Sequence, residues 1–226
     1  MRLLKLIQGD IRFQFKYGFY FIYALFCVLY ILLLHVMPEE WRGVVGNILI
    51  YSDPAALGLF FIGAIMLFER SERVLNALVV SPVTVHEYML SKIISLEVIS
   101  ILVSLFLGVF AKSENLVLMI TSVILTSAIF TLLGLMIATK VNSLNQNLMI
   151  TSALEIFCFV PPISILFYPL DFLYWYPLNH SMLLLSNTST MPVVSILLLV
   201  LTIVMLYVVA YKMVTRMWKN VGGIKL

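Results

Sequence analysis

The chain has 226 residues, 62% of them hydrophobic and only 11% charged, with a formal net charge of +3. A soluble domain carries about 45–50% apolar and about 25% charged residues, so a mean hydropathy of +1.08 leaves lipid as the solvent for most of this protein. Soluble globular classes, disorder, nucleic-acid binding and a secreted disulfide scaffold are excluded.

In chain order, the first element is a helix over 1–17 that lies on a membrane rather than across it. At about 100° per residue, Leu3, Leu4, Ile7, Ile11 and Phe15 share one arc, and Arg2, Lys5, Arg12 and Lys16 cluster on the opposite side. An apolar face backed by cations suits an anionic lipid surface; the plain alternative is that these cations serve topology alone.

A spanning helix needs about 20 mostly apolar residues. Gly18–Val36, Pro54–Phe68, Ile93–Phe110, Leu116–Ala138, Leu148–Leu166 and Val193–Tyr211 qualify, the second beginning upstream within Val44–Tyr51. A cleavable signal peptide is not expected, because four basic residues precede the first span with no small-residue cleavage site after it. Cytoplasmic loops are enriched in Lys and Arg. With both termini inside, twelve of the fourteen Lys and Arg residues, Lys225 among them, are cytoplasmic, and only Arg42 and Lys112 lie outside. The expected architecture is therefore an all-α integral membrane protein of six spans forming one transmembrane domain over 1–226, with both termini cytoplasmic. The two cysteines, Cys27 and Cys158, sit in apolar runs and read as small core residues.

Topology does not explain the loop after span two, residues 69–84. Glu69 and Glu72 read as a charged first turn, favoured at a helix N-terminus, followed by Val74, Leu75, Leu78 and Val79 at helical spacing. Ser81-Pro82 ends that helix, since the residue before proline avoids the α region. Thr84 and Glu87, three apart, form a capping box that opens the helix leading into span three. A short helix held between two spans is a docking knob for a soluble partner or an ordinary interfacial helix.

These residues resemble a family. Glu69, Leu75, Leu78 and Ser81-Pro82, followed by Glu87-Tyr88 and Lys92, are similar to the coupling-helix region of type-2 ATP-binding-cassette (ABC) exporter permeases. Ser52-Asp53-Pro54-Ala55-Ala56-Leu57-Gly58 and the stretch from Asp10 to Tyr20 resemble bacterial permeases for fluoroquinolone or multidrug export. The resemblance extends over the whole chain in topology, with its specific motifs in roughly residues 10–95. Many relatives carry Gly-Thr where this chain has Arg73-Val74, a departure that touches the closer subfamily and so the substrate. The resemblance implies a half-transporter, completed by a second permease copy or a sister permease and by two separate ATP-binding subunits docked through 69–82. Leu75, Leu78, Ser81 and Pro82 would then shape the coupling element, and Glu69, Arg70, Glu72 and Arg73 would meet the partner. ATP and magnesium would belong to that partner, and the chain itself carries no G-x-x-x-x-G-K-[ST] loop. The alternative is a secondary transporter or membrane scaffold that needs no ATPase.

Intramembrane carboxylates are functional hypotheses by default. Glu97, five residues past Lys92, is expected to snorkel or to pair with that lysine. Glu155, near mid-bilayer, either attracts a cationic amphiphile along the substrate path or bonds to Ser152 or Thr151 of its own helix. The proline-punctuated aromatic segment 167–187, from Phe167 through Asp171 and Trp175, reads as an external re-entrant or interface-lying element that anchors the bundle at headgroup level. Enzyme readings lack their residues: His35, His86 and His180 fall on both sides of the membrane and make no metal site, and no serine sits in a G-x-S-x-G elbow.

Overall fold

The computed structural model describes residues 2–52, 56–168 and 171–221. Asp53, Pro54 and Ala55 of the resemblance, Pro169 and Leu170 of the aromatic segment, and Lys225 lie outside the described residues. The helices are α1 (Arg2–Lys16), α2 (Phe19–Val36), α3 (Glu39–Ser52), α4 (Leu57–Ser71), α5 (Val74–Val80), α6 (Val85–Phe110), α7 (Leu116–Ala138), α8 (Leu144–Ser164), α9 (Pro177–Leu185) and α10 (Pro192–Val221). A 3-10 turn covers Asp171–Trp175, and no strand occurs among the described residues. Six stretches are long and apolar enough to cross a membrane: α2, α3 with α4, α6, α7, α8 and α10. The protein is a multi-pass, all-helical membrane protein.

Three helix starts, those of α6, α7 and α8, follow from side chains that satisfy free backbone N–H groups. Asn115 accepts from the amides of Val117 and Leu118, and Ser143 accepts from Gln146. The Thr84–Glu87 capping box is formed, with Thr84 N–H donating to Glu87 Oε2 at 2.8 Å and Glu87 N–H donating to Thr84 Oγ1 at 3.2 Å. α6 therefore starts at Val85, well before the Ile93 expected for the span, and runs unbroken into the membrane. The second span likewise starts upstream, since α3 includes Val44–Tyr51.

α7 is the centre of the bundle, packed by α4, α6, α9 and α10. Two glycines permit the closest of these approaches. A Cβ on Gly58 would stand 2.0 Å from Thr131 Oγ1, and one on Gly134 would stand 2.3 Å from Ile62 Cγ2. Without a hydrophobic driving force between helices in lipid, such small-residue contact is what holds spans together. Hydroxyls add cross-links in the same core: Ser100 with Ser127, and Ser181 of α9 with both Ser122 and Thr126 of α7. α9 is buried along Leu178–Leu185. This stretch is thus covered by protein rather than laid along lipid headgroups as its aromatic neighbours suggested, while Trp175 remains 89% exposed.

α1 has three faces, one more than the sequence pattern indicated. Leu4, Phe15 and the cations Arg2, Lys5, Arg12 and Lys16 are exposed. Between the apolar and basic arcs lies a third face, carrying Asp10, Phe13, Gln14 and Tyr17. Gln14 is buried and donates to Ser95 Oγ at 3.0 Å. Phe13 and Tyr17 stack near Phe68 of α4.

Candidate functional site

The polar end of the bundle formed by α1, the end of α4, α5 and the start of α6 concentrates the residues singled out above. Its centre is Lys92, 2% exposed. The Lys92 ammonium donates to Asp10 Oδ1 of α1 at 2.5 Å and to Glu69 Oε1 of α4, and Tyr88 Oη donates to the other Glu69 oxygen at 2.8 Å. One cation thus ties three helices. A buried charge is tolerable only when paired and hydrogen-bonded, and here the two carboxylates and the phenol supply the partners.

Arg70 makes the second set of ties. Its guanidinium donates to the carbonyls of Val141 and Ala138, both at 2.8 Å, at the C-terminal end of α7, and its Nη2 lies 3.0 Å from Met217 Sδ of α10. Cations suit helix C-termini, where carbonyls lack intrahelical partners. Glu72, exposed, accepts a hydrogen bond from Tyr17 Oη, and that carboxylate holds the phenol above its ordinary range.

These positions correct the sequence reading of the loop. Glu69 and Glu72 do not form the first turn of the short helix: Glu69 lies in the last turn of α4 and Glu72 is its C-cap. The break is made by Arg73, which has left-handed backbone at φ 58° and is the N-cap of α5. Glycine is the residue that adopts this backbone without strain, so an arginine here is held in a conformation that L side chains rarely take. Glu69 is buried and its carboxylate is consumed by Lys92 and Tyr88, so it is not presented to a partner. Arg70 is likewise turned inward.

α5 ends where the proline rule placed its end. Ser81 caps it, with N–H and Oγ both donating to Leu78 O, at 3.2 and 2.7 Å. The Pro82 carbonyl accepts from Arg2 Nη1 at 3.1 Å, so the loop is tied to α1 as well. Leu75 is buried and Leu78 partly so, on α5, which packs on α4 and α10. The outward face carries Glu72, Arg73, Val74, Asn76, Ala77 and Val80, with Val80 85% exposed.

Glu97 does not pair with Lys92. Five residues apart on a helix is about 140° apart in rotation, and the lysine is already held by Asp10 and Glu69. Glu155 is half-buried near the middle of α8. Its expected bond to Thr151 is absent: that hydroxyl donates instead to the carbonyl of Asn147 at 2.8 Å. Glu155 faces a cavity of about 330 Å³ between α2, α4 and α8. Sequence reasoning missed Asp10 and Gln14, whose signal was present as polar residues on an otherwise unassigned face of α1. Among the described residues, no group of three His, Cys, Asp or Glu side chains converges to hold a metal.

Comparison with known proteins agrees with this architecture. Two curated relatives from Mycobacterium tuberculosis, one from strain CDC 1551 / Oshkosh and one from strain ATCC 25618 / H37Rv, are each named as a fluoroquinolones export permease protein. Each is 25% identical to this chain over 135 residues, a match that covers 59% of the chain and 57% of the relative. The matched stretch is thus little more than half the length of those relatives. The model of the fluoroquinolones export permease protein family, a family of transport proteins rather than enzymes, matches residues 1–220, and the chain belongs to that family.

Proposed function

We propose that this chain is the permease subunit of an ATP-binding-cassette exporter that moves drugs or other amphiphilic compounds out across a bacterial cytoplasmic membrane. The observation that carries the reading is α5. This seven-residue helix stands between two spans, presents Val74, Ala77 and Val80 outward, and is anchored by Leu75, while the helices on either side of it, α4 and α6, are joined by the Lys92 cluster. A knob that exposes apolar side chains between two helices joined by buried ion pairs suits a partner that pushes on it. The partner would be a separate ATP-binding subunit holding ATP and magnesium, and its push would reach α4, α6 and α1 through Glu69, Lys92 and Asp10. Membership in an export permease family supports the transport role.

Orientation is read from charge: among the described residues, the lysines and arginines other than Arg42 and Lys112 belong to the side of α5, which the positive-inside rule makes cytoplasmic. The exposed face of α1, with Leu4 and Phe15 beside Lys5, Arg12 and Lys16, would rest on the inner leaflet. The single domain then comprises this interfacial helix (1–17), the coupling region (69–84), the external segment (167–187) and six spans. α2, α8 and α10 bury only 22%, 22% and 17% of their apolar windows within the chain, which leaves surface for lipid and for a second permease copy or sister permease.

A tagged chain purified in mild detergent from its host, with mass spectrometry of what accompanies it, tests this reading. The expected result is an ATP-binding subunit in roughly equal amount, lost when Val74 and Val80 are both changed to Asp, with the permease still folded. A folded permease that carries no ATPase would overturn the reading in favour of a secondary carrier or scaffold.

A further inference from the structure

Two of the cavities between the helices differ in kind. The larger, about 490 Å³ between α2 and α6, is lined by residues such as Val28, Ile31 and Phe106 and has no charged side chain in its lining. The smaller, about 330 Å³ between α2, α4 and α8, is lined by Tyr23, Phe26, Tyr30, Phe60 and Phe61, and by the carboxyl of Glu155. Its volume is in the range of small-molecule pockets. The rings are already organised among themselves: Phe26 stacks on Tyr30 with centroids 6.0 Å apart, and Tyr23 meets Phe61 edge-on at 5.5 Å.

The carboxyl is the unusual part. Glu39 pairs with Lys112, Glu69 with Lys92, and Glu87 closes the capping box; Glu40, Glu97 and Glu155 have no such partner among the described residues, and of these Glu155 is the one that lines the aromatic cavity. Glu155 has no hydrogen-bond or ion-pair partner among the described residues, and it sits near the middle of α8, facing aromatic rings from the middle of α2. An acidic group so placed is costly and is normally matched by a partner. Ring faces and a carboxylate attract the same class of ligand, because the negative face of an aromatic ring and an anionic oxygen both favour a cation.

We propose that the cavity between α2, α4 and α8 is a binding site for lipophilic organic monocations. The charge sits against Glu155, and the aromatic body of the ligand lies among Phe26, Tyr30, Phe60 and Phe61. This names the ligand class for the substrate path of the permease and rests on that reading for its role in export, but not for binding. The site opens within the membrane, so it takes ligands that have already partitioned into lipid.

Binding of tetraphenylphosphonium, with neutral triphenylphosphine oxide as the comparator, tests this on the purified full chain in nanodiscs of zwitterionic lipid, by equilibrium dialysis. Glu155→Gln should weaken the cation about tenfold or more and leave the neutral compound unchanged, while Glu155→Asp should keep most of the affinity. Phe26→Ala, on a partly exposed ring, should weaken the cation about three- to tenfold. No saturable cation binding by the unaltered protein would overturn the proposal. So would equal binding by folded Glu155→Gln, or parallel loss of both compounds in that variant and in Glu155→Asp. Because no ATPase enters the measurement, failure to find a partner subunit leaves this result standing, and the two ideas fail separately.

Discussion

The two polar ends of the bundle treat charge in opposite ways. At the α5 end Lys92 is 2% exposed and is clasped by Asp10 and Glu69, which are 15% and 6% exposed. At the other end Lys112 is 67% exposed and meets Glu39, 74% exposed, which also pairs with Arg42. The first arrangement ties three helices in a water-poor site. The second is a solvated network between the start of α3 and the loop that joins α6 to α7. Buried pairs are costly to break from one side, whereas surface pairs contribute little. One end is therefore built as a fixed joint and the other as a loose one, whatever the formal count of ion pairs.

The sharpest way to break this comparison is Lys92→Met. Removing the cation leaves two buried carboxylates unmatched, and stability should fall by about 3–5 kcal/mol, read from unfolding of the purified protein in detergent. Adding Asp10→Asn and Glu69→Gln to the same chain should recover most of that loss, since neutralising the whole cluster removes the mismatch. A loss under about 1 kcal/mol for Lys92→Met would put both ends in the same class. Next in size is Arg73→Gly. Relieving a left-handed arginine should stabilise the α4–α5 turn by about 1 kcal/mol, visible as an upward shift in Tm; an unchanged or lower Tm would show that the arginine side chain compensates for its backbone. The smallest effect belongs to Lys112→Ala, which should shift stability by less than about 0.5 kcal/mol. A larger loss would show the outer network to be as binding as the inner cluster.

Much of the fold was legible in the sequence because each signal was local. Twenty apolar residues specify a span, Thr84 and Glu87 specify a helix start, and Ser81-Pro82 specifies an end. Each needs only its own neighbours. The site was less legible because its contacts join distant residues: Lys92 meets Asp10 across 82 positions, and Arg70 meets Val141 across 71. Periodicity on α1 revealed the lipid and basic arcs and passed over the face that packs on α6, because Asp10 and Gln14 look like solvent residues until a lysine is found opposite. The expected Glu97–Lys92 pair was avoidable, since helix rotation alone sets those residues apart. The boundary of α5 turned on Arg73, whose left-handed backbone no propensity would assign to arginine.

α10 runs thirty residues from Pro192 to Val221, with proline only at its first position and no glycine within it. At about 1.5 Å per residue it is roughly 45 Å long, against a hydrocarbon slab of about 30 Å. At one end Ser195 bonds to His180 of α9 at 3.0 Å, and at the other Trp218 lies 5.4 Å from the Tyr88 ring while Met217 touches Arg70. The helix is thus a long rod, packed along α7 and fastened near both of its ends. A rod of that length turned by only about 5° carries its far tip about 4 Å, enough to separate an aromatic pair. A tilt of α10 at its α9 contact would therefore carry Met217 and Trp218 away from Arg70 and Tyr88.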